Sequence, residues 1–135
     1  MKTIAQLHSI FFIFPLVCFG GALVADILHY FGKLKSLTWG FWFVIVGVIF
    51  CVPTIVTGLA NGENYDINNP IFTKHRFFAY ATAIFASSYT GLRISFKLWK
   101  IPLKPVHFII LSAFLFALTW LTVDYGLLIN SLSKG

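Results

Sequence analysis

The chain has 135 residues, of which 59% are hydrophobic and only 10% are charged, and its formal net charge is +6. A water-soluble domain of this length carries far more charge, so the composition predicts one integral membrane domain spanning residues 1–135. The ten Lys and Arg residues stand mostly at the ends of apolar runs. This placement is typical of membrane anchors, so the positive charge does not indicate nucleic-acid binding.

Four apolar runs follow one another along the chain. They predict four helices at about 8–30, 37–60, 73–99 and 105–130. Each run is long enough to cross roughly 30 Å of hydrocarbon at a rise of about 1.5 Å per residue. Because the links between the runs are short, we predict an all-α fold, an integral membrane bundle of four helices in up-down order.

The sequence lacks the common catalytic motifs. Cys18 and Cys51 lie inside apolar runs and form no CxxC or CxxCH motif, which argues against a disulfide framework and against covalent haem attachment. There is also no phosphate-binding glycine loop, no HExxH and no GxSxG. We therefore expect no bond-making chemistry from the chain itself.

The basic residues predict the orientation of the bundle. One end gathers Lys33, Lys35, Arg93, Lys97, Lys100 and Lys104, and the other end gathers Lys2, Lys74, Arg76 and Lys134. By the positive-inside rule, both termini and the 61–74 loop face outward, which is the periplasm for a bacterial inner membrane. The first run exceeds the apolar core of a usual signal peptide, so we expect it to be retained.

Four histidines lie near the ends of the predicted helices, at two levels. His8 and His75 open the first and third helices at the outer end, whereas His29 and His107 lie at the inner end. Ionisable groups inside a bilayer are costly and usually have a function. A six-coordinate b-type haem needs two imidazoles at one depth, so we predict His8 and His75 to be its axial ligands. His29 and His107 form a weaker candidate pair for a second haem.

Three further residues suit a haem site. Gly58 removes a side chain and permits close approach, and Arg76 suits haem propionates or anionic headgroups. Asp124 could orient a ligand histidine through its second ring nitrogen. A non-haem metal held by the two outer histidines with Asp124 or Glu63 is an alternative, although the spacing carries no metal-specific signature.

A stripe of small residues leads away from the third-helix histidine. At four-residue intervals it contains His75, Ala79, Ala83, Ser87 and Gly91. Since four residues overshoot one helical turn by only about 40°, we expect the stripe to stay on one side of the helix. It predicts either a slot for a haem or a surface for tight helix packing within the bilayer.

Two charged residues follow the outer histidines at the same spacing. Asp26 follows His8 by 18 residues, and Arg93 follows His75 by 18 residues. Eighteen residues make five turns at about 3.6 residues per turn, so each charge shares a helix face with its histidine. If the histidines face each other, the charges do so as well, and we predict a structural ion pair between Asp26 and Arg93 near the inner boundary.

Several short motifs resemble those of a known family. Residues 7–15 read LHSIFFIFP, similar to the LHPxxVHFP opening of domain-of-unknown-function family 2231, which comprises small bacterial membrane proteins with four helices. The resemblance continues through Asp26, residues 57–59 (TGL) and His75, and ends with residues 123–126 (VDYG). It covers nearly the whole chain.

This resemblance implies a place among two-haem b-type cytochromes that transfer electrons in the membrane. The chain departs from the family pattern at two positions. Ile13 stands where the family has a second histidine, and Ser9 stands where it has a proline. The haem interpretation therefore depends on His8 and His75.

Taken together, these patterns lead to two functional hypotheses. The first is an electron-transfer subunit that binds one or two b-type haems and works with other respiratory or cytochrome subunits in the lipid of a bacterial inner membrane. The second is a structural or assembly subunit without a cofactor, which packs against other membrane helices through the small-residue stripe.

Overall fold

The computed structural model describes residues 2–62, 66 and 68–132. Its helices are α1 (Lys2–Phe11), α2 (Ile13–Tyr30), α3 (Thr38–Gly62), α4 (Pro70–Trp99) and α5 (Pro105–Leu132). No strand occurs within these ranges. Lys134 and Glu63, which entered the sequence interpretation, lie outside the described residues.

The first two helices form one continuous rod. Only Phe12 separates them, its backbone is helical, and its N–H donates to the carbonyl of His8 at 3.1 Å. This is the ordinary hydrogen bond of an α-helix, from residue i to residue i−4. The described chain therefore consists of four rods, and the predicted all-α membrane bundle is confirmed.

The helix ends follow capping chemistry that is visible in the sequence. The side chain of Asn69 accepts hydrogen bonds from the N–H groups of Ile71 and Phe72, at 2.9 and 3.4 Å. Pro70 then occupies the first helical position, where its missing N–H costs nothing. This cap starts α4 three residues before the predicted Thr73. After α2 the chain turns at Gly32, whose φ of +72° suits glycine.

The rods are arranged as a ring. The α1–α2 rod packs against α3 and α5, and α4 also packs against α3 and α5. The α1–α2 rod and α4 therefore lie diagonally opposite each other across the bundle. Because the bundle is antiparallel, the starts of these two rods share one end, and the ends of both rods share the other.

The centre of the bundle is packed tightly. Phe19, Val44 and Leu115 are fully buried there. Gly47 on α3 faces the ring of Phe19 so closely that an added Cβ would overlap it. A glycine is therefore required where α3 approaches this ring.

The outer surface is apolar, as a lipid-facing surface is. Large hydrophobic side chains are more than half exposed on every rod, among them Val17, Ile49, Ile84 and Ile110. Three helical stretches are long and apolar enough to cross a membrane, namely Gln6–Tyr30, Thr38–Gly62 and Pro105–Leu132. The crossing of α4 stays a prediction, because its charged and hydroxyl residues lower its hydropathy.

The small-residue stripe on α4 does not stay on one side. His75 at its start is half-buried, whereas Ser87 and Gly91 are exposed, and a Cβ at Gly91 would meet nothing within 4 Å. Four steps of about 40° turn the stripe by about 160°, which carries it from the interior to the surface. The expectation of a continuous small-residue slot below His75 is therefore wrong.

Candidate functional site

The two outer histidines meet across the diagonal of the bundle. The ring centres of His8 and His75 are 6.3 Å apart, and the ring planes are nearly perpendicular, at 89°. Both residues are half-buried. The structure thus brings together the two imidazoles that the sequence singled out.

The ring of His8 is held by helix α3. Its Nδ1 lies 3.0 Å from the carbonyl oxygen of Thr54 and 3.2 Å from the hydroxyl of Thr57. A carbonyl oxygen can only accept a hydrogen bond, so Nδ1 of His8 carries the proton and donates. In the neutral imidazole, Nε2 then keeps a free lone pair.

The ring of His75 is held in the same way by helix α5. Its Nδ1 donates to the carbonyl oxygen of Thr122 at 2.9 Å. The Thr122 hydroxyl in turn lies 3.2 Å from the hydroxyl of Thr82 on α4. In both histidines Nδ1 therefore carries a proton, so in the neutral form of each ring Nε2 is the nitrogen available as a ligand atom.

A glycine lies beside each ring. An added Cβ at Gly58 would come within 2.9 Å of Cε1 of His8, and one at Gly126 within 3.1 Å of Cε1 of His75. Each glycine is four residues after the threonine whose carbonyl holds the same ring. Glycine, which has no side chain, is therefore needed at both positions for the rings to lie where they do.

A cavity opens next to the two rings. Its volume is about 530 Å³, and all four rods contribute to its wall. The residues around it include His8, Phe12, Gly58, Phe72, His75, Arg76, Ala79, Tyr80 and Gly126. Its volume lies within the range of roughly 300–1,000 Å³ that is usual for small-molecule and cofactor sites.

Of the three further residues predicted for the haem site, two line the cavity and one does not. Gly58 and Arg76 line the cavity, and the Arg76 guanidinium lies 5.7 Å from the ring centre of Phe72. Asp124 is exposed and is not part of the cavity wall. The ring nitrogen that we expected Asp124 to orient is bound by the Thr122 carbonyl instead.

Sequence reasoning missed Thr54, Thr122 and Gly126. The acceptors on both threonines are main-chain carbonyls, so the type of side chain gives no sign of them. The signal was a repeated spacing, since threonine precedes glycine by four residues in both helices, in TIVTG and in TVDYG.

The two inner histidines are not brought into one cavity. Nδ1 of His29 lies 2.9 Å from the carbonyl oxygen of Leu34, and this residue lines a second cavity of about 310 Å³. His107 is exposed, does not line that cavity, and its Nδ1 accepts from the N–H of Lys104 at 3.0 Å. Each of these histidines has a local partner in a link between helices.

The predicted ion pair is present near the inner end of the bundle, where His29 and His107 also lie. Arg93 and Asp26 form a salt bridge across the diagonal, and both side chains are almost completely buried. The hydroxyl of Ser112 donates to Oδ2 of Asp26 at 2.6 Å, and Nη2 of Arg93 donates to the hydroxyl of Tyr89 at 2.6 Å. The guanidinium also lies 5.0 Å from the ring centre of Phe108. Spacing alone predicted the charges but not Ser112 or Tyr89.

Within residues 2–62, 66 and 68–132, no three His, Cys, Asp or Glu side chains are grouped to hold a metal ion. The alternative of a metal site with a carboxylate ligand thus finds no support at Asp124, and Glu63 lies outside these ranges. The donor set at the cavity is two imidazoles.

Comparison with known families shows what the chain is similar to. The model of a family described as a predicted membrane protein (DUF2231) matches residues 5–131. The comparisons with curated proteins and with solved structures give no match.

Proposed function

Because that match spans nearly the whole chain, the protein belongs to the DUF2231 family of predicted membrane proteins, and we propose that it is an electron-transfer subunit that binds haem b. The observation that carries this proposal is the pair of imidazoles that converge at one cavity, each fixed through Nδ1 by a backbone carbonyl. The family description itself names a membrane protein and no activity.

The hydrogen bonds and the spacing of the two rings support metal binding. A metal-ligating histidine almost always donates its other ring N–H to a carbonyl, a carboxylate or water, which fixes the tautomer and the ring orientation. His8 and His75 both meet this requirement. Their ring centres are 6.3 Å apart. Two metal–nitrogen bonds of about 2.0–2.1 Å, together with the distance from each ring nitrogen to its ring centre, would place the centres of two rings on one metal at a similar separation.

The surroundings of the rings suit a flat, anionic group. Gly58 and Gly126 make room for the two imidazole rings, and Phe12 and Phe72 add apolar wall to the cavity. The exposed Arg76 lies at its rim, where a guanidinium would pair with a haem propionate. A bound haem would supply one-electron oxidation and reduction, while His8 and His75 would hold it and the chain would supply the apolar enclosure and the positive charge.

The setting that we propose is the bacterial inner membrane, with the site toward the periplasm and other respiratory or cytochrome subunits as electron partners. The orientation rests on the larger number of basic residues at the opposite end of the bundle. We propose one haem at His8 and His75. A second haem has less support, because His29 and His107 do not share a cavity.

A visible spectrum tests the proposal. The protein is expressed with haem supplied and purified in detergent, and a reduced-minus-oxidised spectrum is recorded. We expect b-type Soret and α bands, lost in both His8→Ala and His75→Ala. The exposed His107 gives a matched control, since His107→Ala removes an imidazole without touching the cavity and leaves the bands unchanged.

The competing function predicts a different outcome. A structural or assembly subunit would be colourless after haem supply, with helix content and oligomeric state equal in wild type and the His75→Ala variant. This result would overturn the haem proposal and leave the imidazole pair as an element of bundle packing.

A further inference from the structure

The second cavity has a wall of basic and aromatic residues, and it plays no part in the proposed haem site. It lies at the opposite end of the bundle, and its wall consists of His29, Leu37, Thr38, Phe41, Arg93, Phe96, Lys97 and Phe108. Two of these residues are cationic, one is a histidine, four are apolar and none is acidic. A cavity with basic and aromatic walls suits an anionic group that is joined to an apolar one.

The buried arginine has hydrogen-bonding capacity left over. Its Nη2 is used by Asp26 and Tyr89, but its Nε–H is buried without a hydrogen-bond partner among the described residues. Leaving a buried donor without a partner is costly, so such a donor in a residue that lines a cavity favours an acceptor nearby. Asp26 balances the charge of Arg93, although its Oδ1 is also without a partner.

Lys97 adds a positive charge that no acidic residue of the wall balances. Its side chain is exposed, and its ammonium lies 4.8 Å from the ring centre of Phe41. The wall of the cavity therefore combines a buried guanidinium group with an exposed ammonium group, next to aromatic rings.

The position along the helices corresponds to the lipid headgroup region. The cavity lies where α2 and α4 end and where α3 and α5 begin. The links at this end of the bundle carry four further lysines, namely Lys33, Lys35, Lys100 and Lys104. Three tryptophans at this end are exposed, namely Trp39, Trp42 and Trp99. Tryptophan and clustered lysine are both typical of the boundary between lipid and water, and clustered lysines attract anionic lipids.

We propose that this cavity binds the headgroup of one anionic phospholipid. The phosphate oxygens would accept hydrogen bonds from Arg93 and Lys97, and the upper part of an acyl chain would lie against Phe41 and Phe96. The site is independent of haem binding, because it is at the other end of the bundle and shares no residue with the first cavity.

Native mass spectrometry of the full chain in detergent tests this assignment. The protein is titrated with dioleoyl phosphatidylglycerol and, separately, with dioleoyl phosphatidylcholine. We expect one phosphatidylglycerol per chain, bound more tightly than phosphatidylcholine. In Lys97→Gln we expect an affinity about fivefold lower, since one lysine near an anionic headgroup contributes about 1 kcal/mol. Lys97→Arg should retain the binding.

Lys104→Gln is the matched control. It removes the same charge at the same end, but Lys104 is exposed and does not line the cavity. Equal losses in Lys97→Gln and Lys104→Gln would show diffuse attraction and overturn the site. Equal binding of both lipids would remove the requirement for an anionic headgroup. Displacement of phosphatidylglycerol by millimolar inorganic phosphate would assign the cavity to a free anion instead of a lipid.

Discussion

At the residue scale, the outer histidines are held by main-chain carbonyls rather than by carboxylates. A carboxylate such as Asp124 would add a charge that is costly at this depth. A carbonyl of the helix backbone orients the ring with no added charge, and the carbonyls of Thr54 and Thr122 both lie within 3.0 Å of an imidazole Nδ1. The groups that orient the two rings are therefore uncharged, and Arg76 lies at the rim of the cavity.

The glycines beside the rings provide a direct test of this geometry. Gly58→Ala and Gly126→Ala each place a Cβ close to a ring carbon, at 2.9 and 3.1 Å. The ring or the helix must then shift, and we expect the affinity for haem to fall by about tenfold or more, as it does when a group that orients a metal-binding histidine is lost. Titration of the apoprotein with haem, followed by absorbance, measures this change.

Gly91→Ala is the control for both variants. A Cβ at Gly91 meets nothing within 4 Å, so the affinity for haem should not change. The helix itself should gain about 0.5–1 kcal/mol, because alanine loses less conformational freedom than glycine. If all three variants bind haem equally, the rings are not confined as the structure indicates.

The buried ion pair gives a second prediction at this scale. Asp26→Asn leaves the guanidinium of Arg93 charged and without its counter-ion, and breaking a buried pair in this way costs about 3–5 kcal/mol. The double variant Asp26→Asn with Arg93→Gln should be less destabilised than the sum of the single variants. Thermal unfolding in detergent, arranged as a double-mutant cycle, measures the coupling.

Asp124→Asn is the matched control, because it makes the same chemical change at an exposed position. Its effect should stay within about 0.5 kcal/mol, as is usual for surface substitutions. Equal stability of the Asp26→Asn and Asp124→Asn variants would contradict the role of the buried pair.

At the scale of the helices, periodicity predicted some features and could not predict others. The 18-residue spacing placed Asp26 and Arg93 correctly, since five whole turns return to the same face with no accumulated error. The four-residue spacing from His75 to Gly91 wrongly predicted a stripe on one side of the helix, because each step overshoots a full turn by about 40° and these angles add up. The buried face of α4 instead contains Thr82, Ala86, Tyr89 and Arg93.

The start of α4 shows a similar limit. The polar residues before Thr73 favoured a loop, yet the cap formed by Asn69 and Pro70 allows the helix to begin at Pro70. An N-cap followed by proline is a recognised start signal, so this boundary was predictable from the sequence. The contacts of Ser112 and Tyr89 with the ion pair were not, because they depend on how neighbouring helices are rotated.

At the scale of the whole molecule, the two halves of the chain resemble each other in the position of their functional groups. In each half a histidine is followed 18 residues later by a charge. A second helix then supplies a threonine carbonyl, 46 residues after His8 and 47 residues after His75. The imidazole pair and the ion pair thus connect the same two diagonal rods, one at each end of the bundle.

Because the two cavities lie at opposite ends of the bundle, its orientation decides which side of the membrane each cavity faces. The imidazole pair and its cavity lie at the end with fewer basic residues, whereas the ion pair and the second cavity lie at the end with more. The positive-inside rule predicts that the first end faces outward and that the second faces the cytoplasm, where anionic lipids would attract the lysines.

Labelling of introduced cysteines in intact bacterial cells tests this orientation. Asn68→Cys and Lys35→Cys are a matched pair, since both positions are exposed and lie at opposite ends of α3. We expect a membrane-impermeant maleimide to label Asn68→Cys in intact cells and Lys35→Cys only after permeabilisation. The wild-type protein provides the background, which should be low because Cys18 and Cys51 are buried. The reverse pattern would place the imidazole pair at the cytoplasmic face, and labelling of both variants in intact cells would mean that α3 does not cross the membrane.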